Sequence, residues 1–163
     1  MGVKELFCIF IMIILIIAIS TFSIINKKHS EKEYTFGEIT NSKSSPKDRI
    51  DENNIKIFKN RVTIELKDAI LAKFTDTKSM EPTIDKFSNA IEIKPKNLED
   101  INIGDIISYH SELIDADIIH RVINKSYDKD GIYFRTKGDN LENIDPEKIR
   151  PKQVRRIVVG IIY

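Results

Sequence analysis

The longest apolar segment of the chain, residues 6–25, constrains its fold more than any other feature. The segment contains no charged residue, and its only polar interruptions are Ser20, Thr21 and Ser23. A helix of twenty residues is about 30 Å long, which matches the hydrocarbon core of a bilayer. The segment is longer than the apolar part of a cleaved leader peptide, and no small-x-small cleavage site follows it. We therefore expect residues 1–25 to be a retained membrane anchor with one transmembrane helix.

The charges that flank this segment bear on its orientation. Lys4 precedes it, whereas Lys27, Lys28 and Lys32 follow it. The positive-inside rule alone would therefore place the rest of the chain in the cytoplasm, although long domains translocate largely regardless of charge.

Residues 26–54 are polar and charged, with serines and Pro46 clustered near position 45. Such a composition buries too little apolar area to offset the entropy of ordering. We therefore predict a polar tether between the anchor and the remainder of the chain.

Residues 55–163 are predicted to form one small, mainly β domain. Val62, Ile64 and Leu66 alternate with polar residues, which is the period of a half-buried strand. Further short runs rich in β-branched residues are separated by turn signals and predict strands at 69–75, 90–94, 106–109, 117–123, 132–136 and 157–162. No apolar pattern of helical period and length follows the anchor.

The composition excludes several classes of function. The formal net charge is +1, so there is no basic excess of the kind that binds nucleic acid. The single cysteine, Cys8, lies in the apolar segment and cannot form a disulfide within the chain. The three histidines lack the paired spacing of metal ligands. We predict neither a metal nor a cofactor.

A serine, a histidine and two acids could carry chemistry. Ser79 follows a predicted strand and precedes Pro82, which ends strand pairing. His120 lies in an apolar strand, and Asp139 and Asp145 follow in a turn-rich region. A serine hydroxyl becomes nucleophilic when a neighbouring base takes its proton, and the base needs an acceptor that orients it. Read separately, the same residues are an ordinary turn serine, a core histidine and two turn acids.

Four short motifs stand in order along the chain. They are Ser79-Met80-Glu81-Pro82-Thr83, Gly104-Asp105-Ile106-Ile107, Ile119-His120-Arg121-Val122 and Thr136-Lys137-Gly138-Asp139-Asn140, the last followed by Asp145. Together they cover about residues 70–162 and resemble the type I signal peptidase family. Because a histidine, rather than a lysine, precedes Arg121, the chain is similar to the archaeal and endoplasmic-reticulum branch, which uses serine and histidine.

The resemblance implies a role for each matching residue. Ser79 would attack the scissile carbonyl, and His120 would take its proton and return it to the leaving amine. Asp145 matches the acid usually assigned to the triad, and Asp139 matches a second important acid. Which of the two binds His120 remains open.

The family also implies how the substrate is held. The oxyanion and substrate-binding positions would be Thr77, Ser79 and Met80. The substrate would bind as an added strand along residues 69–75. Lys78 departs from the family pattern, since many members have glycine there.

By this resemblance the chain would be a membrane-bound serine endopeptidase that removes N-terminal signal peptides from exported precursors after small residues. Its partners would be those signal peptides and the bilayer, with no nucleic acid. It would be a single-pass protein of the cell membrane, with its catalytic domain on the extracytoplasmic face.

Three other functions stay open at this stage. The chain could be a processing enzyme of the same type with a narrow set of substrates. It could be a non-catalytic, membrane-tethered β domain that binds extended peptides, although a binder has no need of a serine, a histidine and an acid together. It could also be an autoproteolytic regulator of the serine–lysine type, but no lysine stands at the position of the base.

Overall fold

A computed structural model describes residues 43–163, together with Gly2, Glu5 and Met12. The predicted anchor at 1–25, apart from those three residues, and residues 26–42 of the predicted tether lie outside the described residues. None of the helices in the described part of the chain is long and apolar enough to cross a membrane. Residues 42–163 form one compact unit.

The unit is mainly β and contains two antiparallel sheets. Its strands are β1 (Ile55–Phe58), β2 (Arg61–Ile64), β3 (Ile70–Lys73), β4 (Asn89–Ile93), β5 (Ile106–Ser111), β6 (Ala116–Asp128), β7 (Gly131–Lys137) and β8 (Val154–Ile162). Short 3₁₀ turns lie at Glu52–Asn54, Leu98–Asp100 and Pro151–Gln153. β1 and β2 pair with each other, and the other six strands form one sheet in the order β3-β4-β8-β5-β6-β7.

The seven predicted strands are all present, with ends that differ by a few residues. The sequence analysis missed β1. Ile55 and Ile57 alternate with Lys56 over only four residues, directly after a polar segment, so the pattern is too short to stand out.

The core lies on both faces of the six-stranded sheet. Side chains alternate along a strand, so the consecutive residues Ile106 and Ile107 on β5 point into different clusters, as do Ile157 and Val158 on β8. One cluster contains Ile101, Ile107, Tyr109, Val122, Phe134, Ile149, Val154 and Ile157. The other contains Met80, Ile84, Ala90, Ile106 and Val158. The central strands therefore support groups on either face.

The last part of the predicted tether belongs to the β unit. Asp105 is completely buried and accepts hydrogen bonds from the backbone N–H of Lys47 at 2.9 Å and from Arg49 Nη2 at 2.5 Å. The carbonyl of Ser45 occupies the position that a Cβ of Gly104 would take, and Gly104 has a φ of +100°. Within the tether predicted for 26–54, residues 43–49 therefore contact the β unit. This segment is poor in apolar residues, and its contact with the domain depends on hydrogen bonds to buried Asp105 instead of on apolar packing.

Candidate active site

Ser79 lies in the loop between β3 and β4, after a residue with unusual backbone geometry. Lys78 has a φ of +60°, the left-handed region that glycine adopts without steric cost. Lysine takes this conformation at a steric cost that glycine would not have. The Ser79 Oγ lies 3.2 Å from Thr77 Oγ1. Within residues 43–163, the backbone N–H of Ser79 donates to no acceptor.

The turn at 138–140 holds this loop through its backbone. The N–H of Asn140 donates to the carbonyl of Ser79 at 2.9 Å, and its side-chain amide donates to the carbonyl of Lys78 at 3.0 Å. A Cβ at Gly138 would lie 2.5 Å from the Ser79 carbonyl oxygen, so only glycine permits this approach. The Gly-Asp-Asn motif therefore fixes the position of the serine without touching its hydroxyl.

His120 is buried on β6, where it pairs in register with Ile107 of β5. Its Nδ1 lies 2.7 Å from Asp145 Oδ2. An ionised carboxylate only accepts hydrogen bonds, so Nδ1 carries the proton and Nε2 of the neutral ring is left as an acceptor. Asp145 is fixed in turn, because its N–H donates to the carbonyl of Thr136 on β7 at 2.9 Å.

A second donor supports the Asp145 carboxylate from the core. The Tyr109 hydroxyl donates to Asp145 Oδ2 at 3.1 Å and accepts from Thr136 Oγ1 at 3.1 Å. Burial raises the pKa of the Tyr109 phenol, the hydrogen bond from Thr136 opposes this, and the charge of Asp145 adds to it, so Tyr109 stays a donor at neutral pH. Burial also opposes ionisation of Asp145, but the hydrogen bonds from His120, Thr136 and Tyr109 outweigh it and hold the pKa of this carboxyl below its usual value.

Asp139 binds a different partner. Its two carboxylate oxygens accept from Nε and Nη2 of Arg121 at 2.8 and 2.7 Å, and Oδ2 also accepts from Thr83 Oγ1 at 2.6 Å. Lys43 Nζ donates to its carbonyl at 2.8 Å. Burial opposes ionisation, yet the Arg121 and Thr83 hydrogen bonds lower the pKa of Asp139 to about 2. The geometry therefore pairs Asp145, not Asp139, with His120.

A cleft of about 850 Å³ brings the nucleophile and base positions together. β3 and the loop to Ser79 line one side, and the first half of β6, including His120, lines the other. Thr77 and Met80 also line the cleft, although the Met80 side chain is buried in the core. Among the described residues, no hydrogen bond joins Ser79 to His120, and the hydrogen bond of the Ser79 hydroxyl is with Thr77.

The sequence analysis did not identify Tyr109 or Lys43 as neighbours of the site. Tyr109 is the one residue of predicted strand 106–109 that combines a large apolar ring with a polar end. Such a residue usually finds a hydrogen-bond partner when buried, and this signal could have singled it out. Lys43 lies in the predicted tether, where no local pattern marks it.

The comparisons with known proteins identify no relative. No family model, no curated protein and no solved structure matches the chain.

Proposed function

We propose that this chain is a membrane-anchored serine endopeptidase that removes signal peptides from exported precursors, with Ser79 as nucleophile, His120 as base and Asp145 as its orienting acid. The observation that carries the proposal is the buried His120–Asp145 hydrogen bond of 2.7 Å, in a cleft that Ser79 also lines. Because Nδ1 of His120 donates to Asp145, Nε2 of the neutral ring is the nitrogen that can accept a proton, which is what a general base requires.

The reaction begins when the Ser79 hydroxyl exchanges its contact with Thr77 for one with His120 Nε2. The hydroxyl then attacks the scissile carbonyl while Nε2 takes its proton, and Asp145 stabilises the resulting imidazolium. The unbonded N–H of Ser79 is available to the oxyanion, and Thr77 Oγ1 lies close enough to the serine to be a second donor. One such donor contributes about 3 kcal/mol to transition-state stabilisation. Protonated His120 gives its proton to the leaving amine, which departs and leaves the leader as an ester on Ser79. His120 then takes a proton from a water molecule that attacks this ester, and cleavage of the ester bond releases the leader's new carboxyl group and restores the Ser79 hydroxyl.

The fold supports binding of an extended substrate. β3 is an edge strand of the six-stranded sheet and leads into the loop that carries Ser79. A precursor segment that adds to this edge receives backbone hydrogen bonds whatever its sequence, and side pockets then select small residues. The predicted transmembrane helix at 1–25 would hold the cleft at the extracytoplasmic face, where cleavage sites emerge.

One observation favours a second function. The Ser79 hydroxyl is hydrogen-bonded to Thr77 and not to His120, an arrangement that a non-catalytic, tethered peptide-binding domain would also have. The two functions differ in a single property, which is whether a bound precursor is cut.

Cleavage of a reconstituted precursor that ends its leader in Ala-x-Ala separates them. The wild-type chain in vesicles is expected to release the mature protein, and Ser79→Ala is expected to abolish release because the nucleophile is gone. Ser126→Ala, on β6 away from the cleft, is the matched control and should cleave normally. Equal cleavage by wild type and Ser79→Ala refutes the peptidase, and binding without cleavage by the wild type supports the peptide-binding domain.

A further inference from the structure

A short segment of the predicted tether, residues 43–49, reaches the turn that holds Ser79. Lys43 Nζ donates to the carbonyl of Asp139 at 2.8 Å and lies 3.4 Å from Asp139 Oδ1. Ser79 lines the cleft, whereas Lys43 is not among the residues that line it. Any effect of Lys43 on the serine therefore passes through the turn at 138–140.

That turn is bonded to the loop of the nucleophile at three points. Asn140 donates to the carbonyl of Ser79 through its backbone N–H and to the carbonyl of Lys78 through its side chain. The N–H of Asp139 donates to the sulfur of Met80 at 3.4 Å. A movement of the Asp139 carbonyl would therefore be passed to the serine and to both of its neighbours.

The middle of the segment contacts a second group that binds the same turn. The carbonyl of Ser45 lies against Gly104, where a Cβ would be only 2.2 Å away. The carbonyl of Gly104 accepts from Arg121 Nη1 at 2.8 Å, and the same guanidinium binds the Asp139 carboxylate through Nε and Nη2. Lys43 and Ser45 thus contact the two residues that Arg121 joins.

Buried Asp105 fixes the far end of the segment. It accepts from the backbone N–H of Lys47 at 2.9 Å and from Arg49 Nη2 at 2.5 Å. The Arg49 side chain is only 10% exposed, and its Nη2 also donates to the carbonyl of Asp100 at 3.0 Å. Holding a lysine side chain in one place costs conformational entropy, and a backbone that is already ordered lowers this cost. The hydrogen bonds at 47 and 49 therefore favour the contact of Lys43 with the turn.

We propose that Lys43 is a positioning residue for catalysis, which holds the turn at 138–140 through the Asp139 carbonyl and so keeps Ser79 where it can reach His120. This proposal rests on the proposed function and adds to it a role for the segment that leads from the predicted anchor. Lys43 touches neither the substrate nor the reacting atoms.

The first test compares three changes at Lys43 in the full-length protein in vesicles. Lys43→Met removes the donor and should lower kcat for a precursor by about fivefold, a modest loss because the lysine is half exposed. KM should not change, because a misplaced nucleophile slows the bound substrate without weakening its binding. Lys43→Glu places a carboxylate near that of Asp139 and should lower kcat by about tenfold or more. Lys43→Arg keeps a donor and should retain most of the wild-type kcat.

Lys148→Met is the matched control. The Lys148 side chain is 49% exposed, against 51% for Lys43, and its Nζ also donates at 2.8 Å, in this case to Asp128. Asp128 is the last residue of β6 and is not among the residues that line the cleft. This variant loses the same kind of contact at a place that has no route to Ser79, so its kcat should equal that of the wild type.

Amide hydrogen exchange measures the position of the turn without any substrate. The Asn140 N–H, which donates to the Ser79 carbonyl, should exchange about fivefold faster in Lys43→Met than in the wild type, because the turn opens more often. In Lys148→Met it should exchange at the wild-type rate. A lysine that only stabilised the fold would lower the free energy of unfolding and leave the kcat of the folded protein unchanged.

Failure of the positioning role and failure of the proposed function give different results. If the wild type cleaves precursors but Lys43→Met keeps the wild-type kcat, changes only KM or leaves exchange at Asn140 unaltered, the positioning role is overturned and the peptidase stands. If the wild type cleaves no precursor, the peptidase is refuted, and exchange at Asn140 alone decides whether Lys43 holds the turn. Equal exchange in Lys43→Met and Lys148→Met would then overturn the positioning role as well.

Discussion

Two histidines of this domain lie beside aspartates, in very different surroundings. His120 binds Asp145 at 2.7 Å, with side-chain exposures of 8% and 14%. His110 lies between Asp115 and Asp117, at 3.3 and 3.1 Å, and these two acids are 96% and 68% exposed. Tyr109 supports the first pair, of which His120 lines the cleft with Ser79. The acids of the second group are exposed, and of them only Asp117 lines that cleft.

Burial and support by neighbouring donors, rather than the residue types, distinguish the proposed catalytic pair from the surface one. Solvent screens the charges around His110, and water can replace either acid. Around His120 the carboxylate has fixed donors and few alternatives, so the ring is held in one tautomer and one orientation. Each of the following predictions tests a part of this contrast.

The largest difference in kcat/KM is expected between variants that neutralise Asp145 and Asp115. Asp145→Asn should lower kcat/KM by about 10⁴-fold, because an amide cannot stabilise the imidazolium or fix the Nδ1–H tautomer. Asp115→Asn is the matched change beside His110 and should leave kcat/KM within about threefold, since exposed pairs contribute little. Precursor cleavage by the two purified variants measures both effects. Similar losses in both variants would mean that burial does not distinguish the pairs.

Asp139 should behave as a structural acid, in contrast to Asp145. Its pKa falls from 3.8 to about 2 in the folded chain, so its ion pair with Arg121 adds stability above pH 4 that disappears as the pH falls towards 2. We expect Asp139→Asn to lose about 2 kcal/mol of unfolding free energy at neutral pH. The loss of kcat/KM should be smaller than for Asp145→Asn.

Urea unfolding of wild type and Asp139→Asn at several pH values checks this expectation. The gap between their unfolding free energies should narrow steadily below pH 4. Asp130→Asn, which removes an exposed carboxylate, is the control. An equal gap at pH 7 and pH 2 would contradict the assignment of the low pKa to the Arg121 ion pair.

The smallest effect is expected from the group that supports Asp145. Tyr109→Phe removes the hydroxyl donor at 3.1 Å and should lower kcat by about tenfold with little change in KM, since hydrogen bonds to charged groups are worth about 1.5 kcal/mol or more. Tyr127→Phe on the exposed side of β6 should have no effect. A change confined to KM would place Tyr109 in substrate binding instead of in support of the acid.

The sequence predicted seven of the eight strands in the described part of the chain, because strand period is a local property. Motif order singled out Ser79, His120, Asp139 and Asp145 as candidates. It could not decide between Asp139 and Asp145. The hydrogen bond from the Asp145 N–H to the carbonyl of Thr136 on β7 holds Asp145 near His120. Asp139 binds Arg121 instead. Neither contact is visible in the local sequence pattern.

Two further features could not be predicted from the sequence, because they also depend on contacts between separate parts of the chain. Tyr109 reaches Asp145 because β5 and β6 pair in one particular register. Lys47 and Arg49 of the predicted tether contact the domain because buried Asp105, more than fifty positions later, accepts hydrogen bonds from both. The composition of that segment predicted a tether, because the residue that binds it, Asp105, lies elsewhere in the sequence.

The most direct test is covalent labelling of the full-length protein in vesicles with a peptide phosphonate whose sequence ends in Ala-x-Ala. A serine that a neighbouring imidazole activates attacks phosphorus and keeps the label, and mass spectrometry locates it. We expect the label on Ser79 in the wild type and in His110→Ala, and no label in His120→Ala. Equal labelling of Ser79 in His120→Ala and His110→Ala, or a label on another serine, would contradict the account.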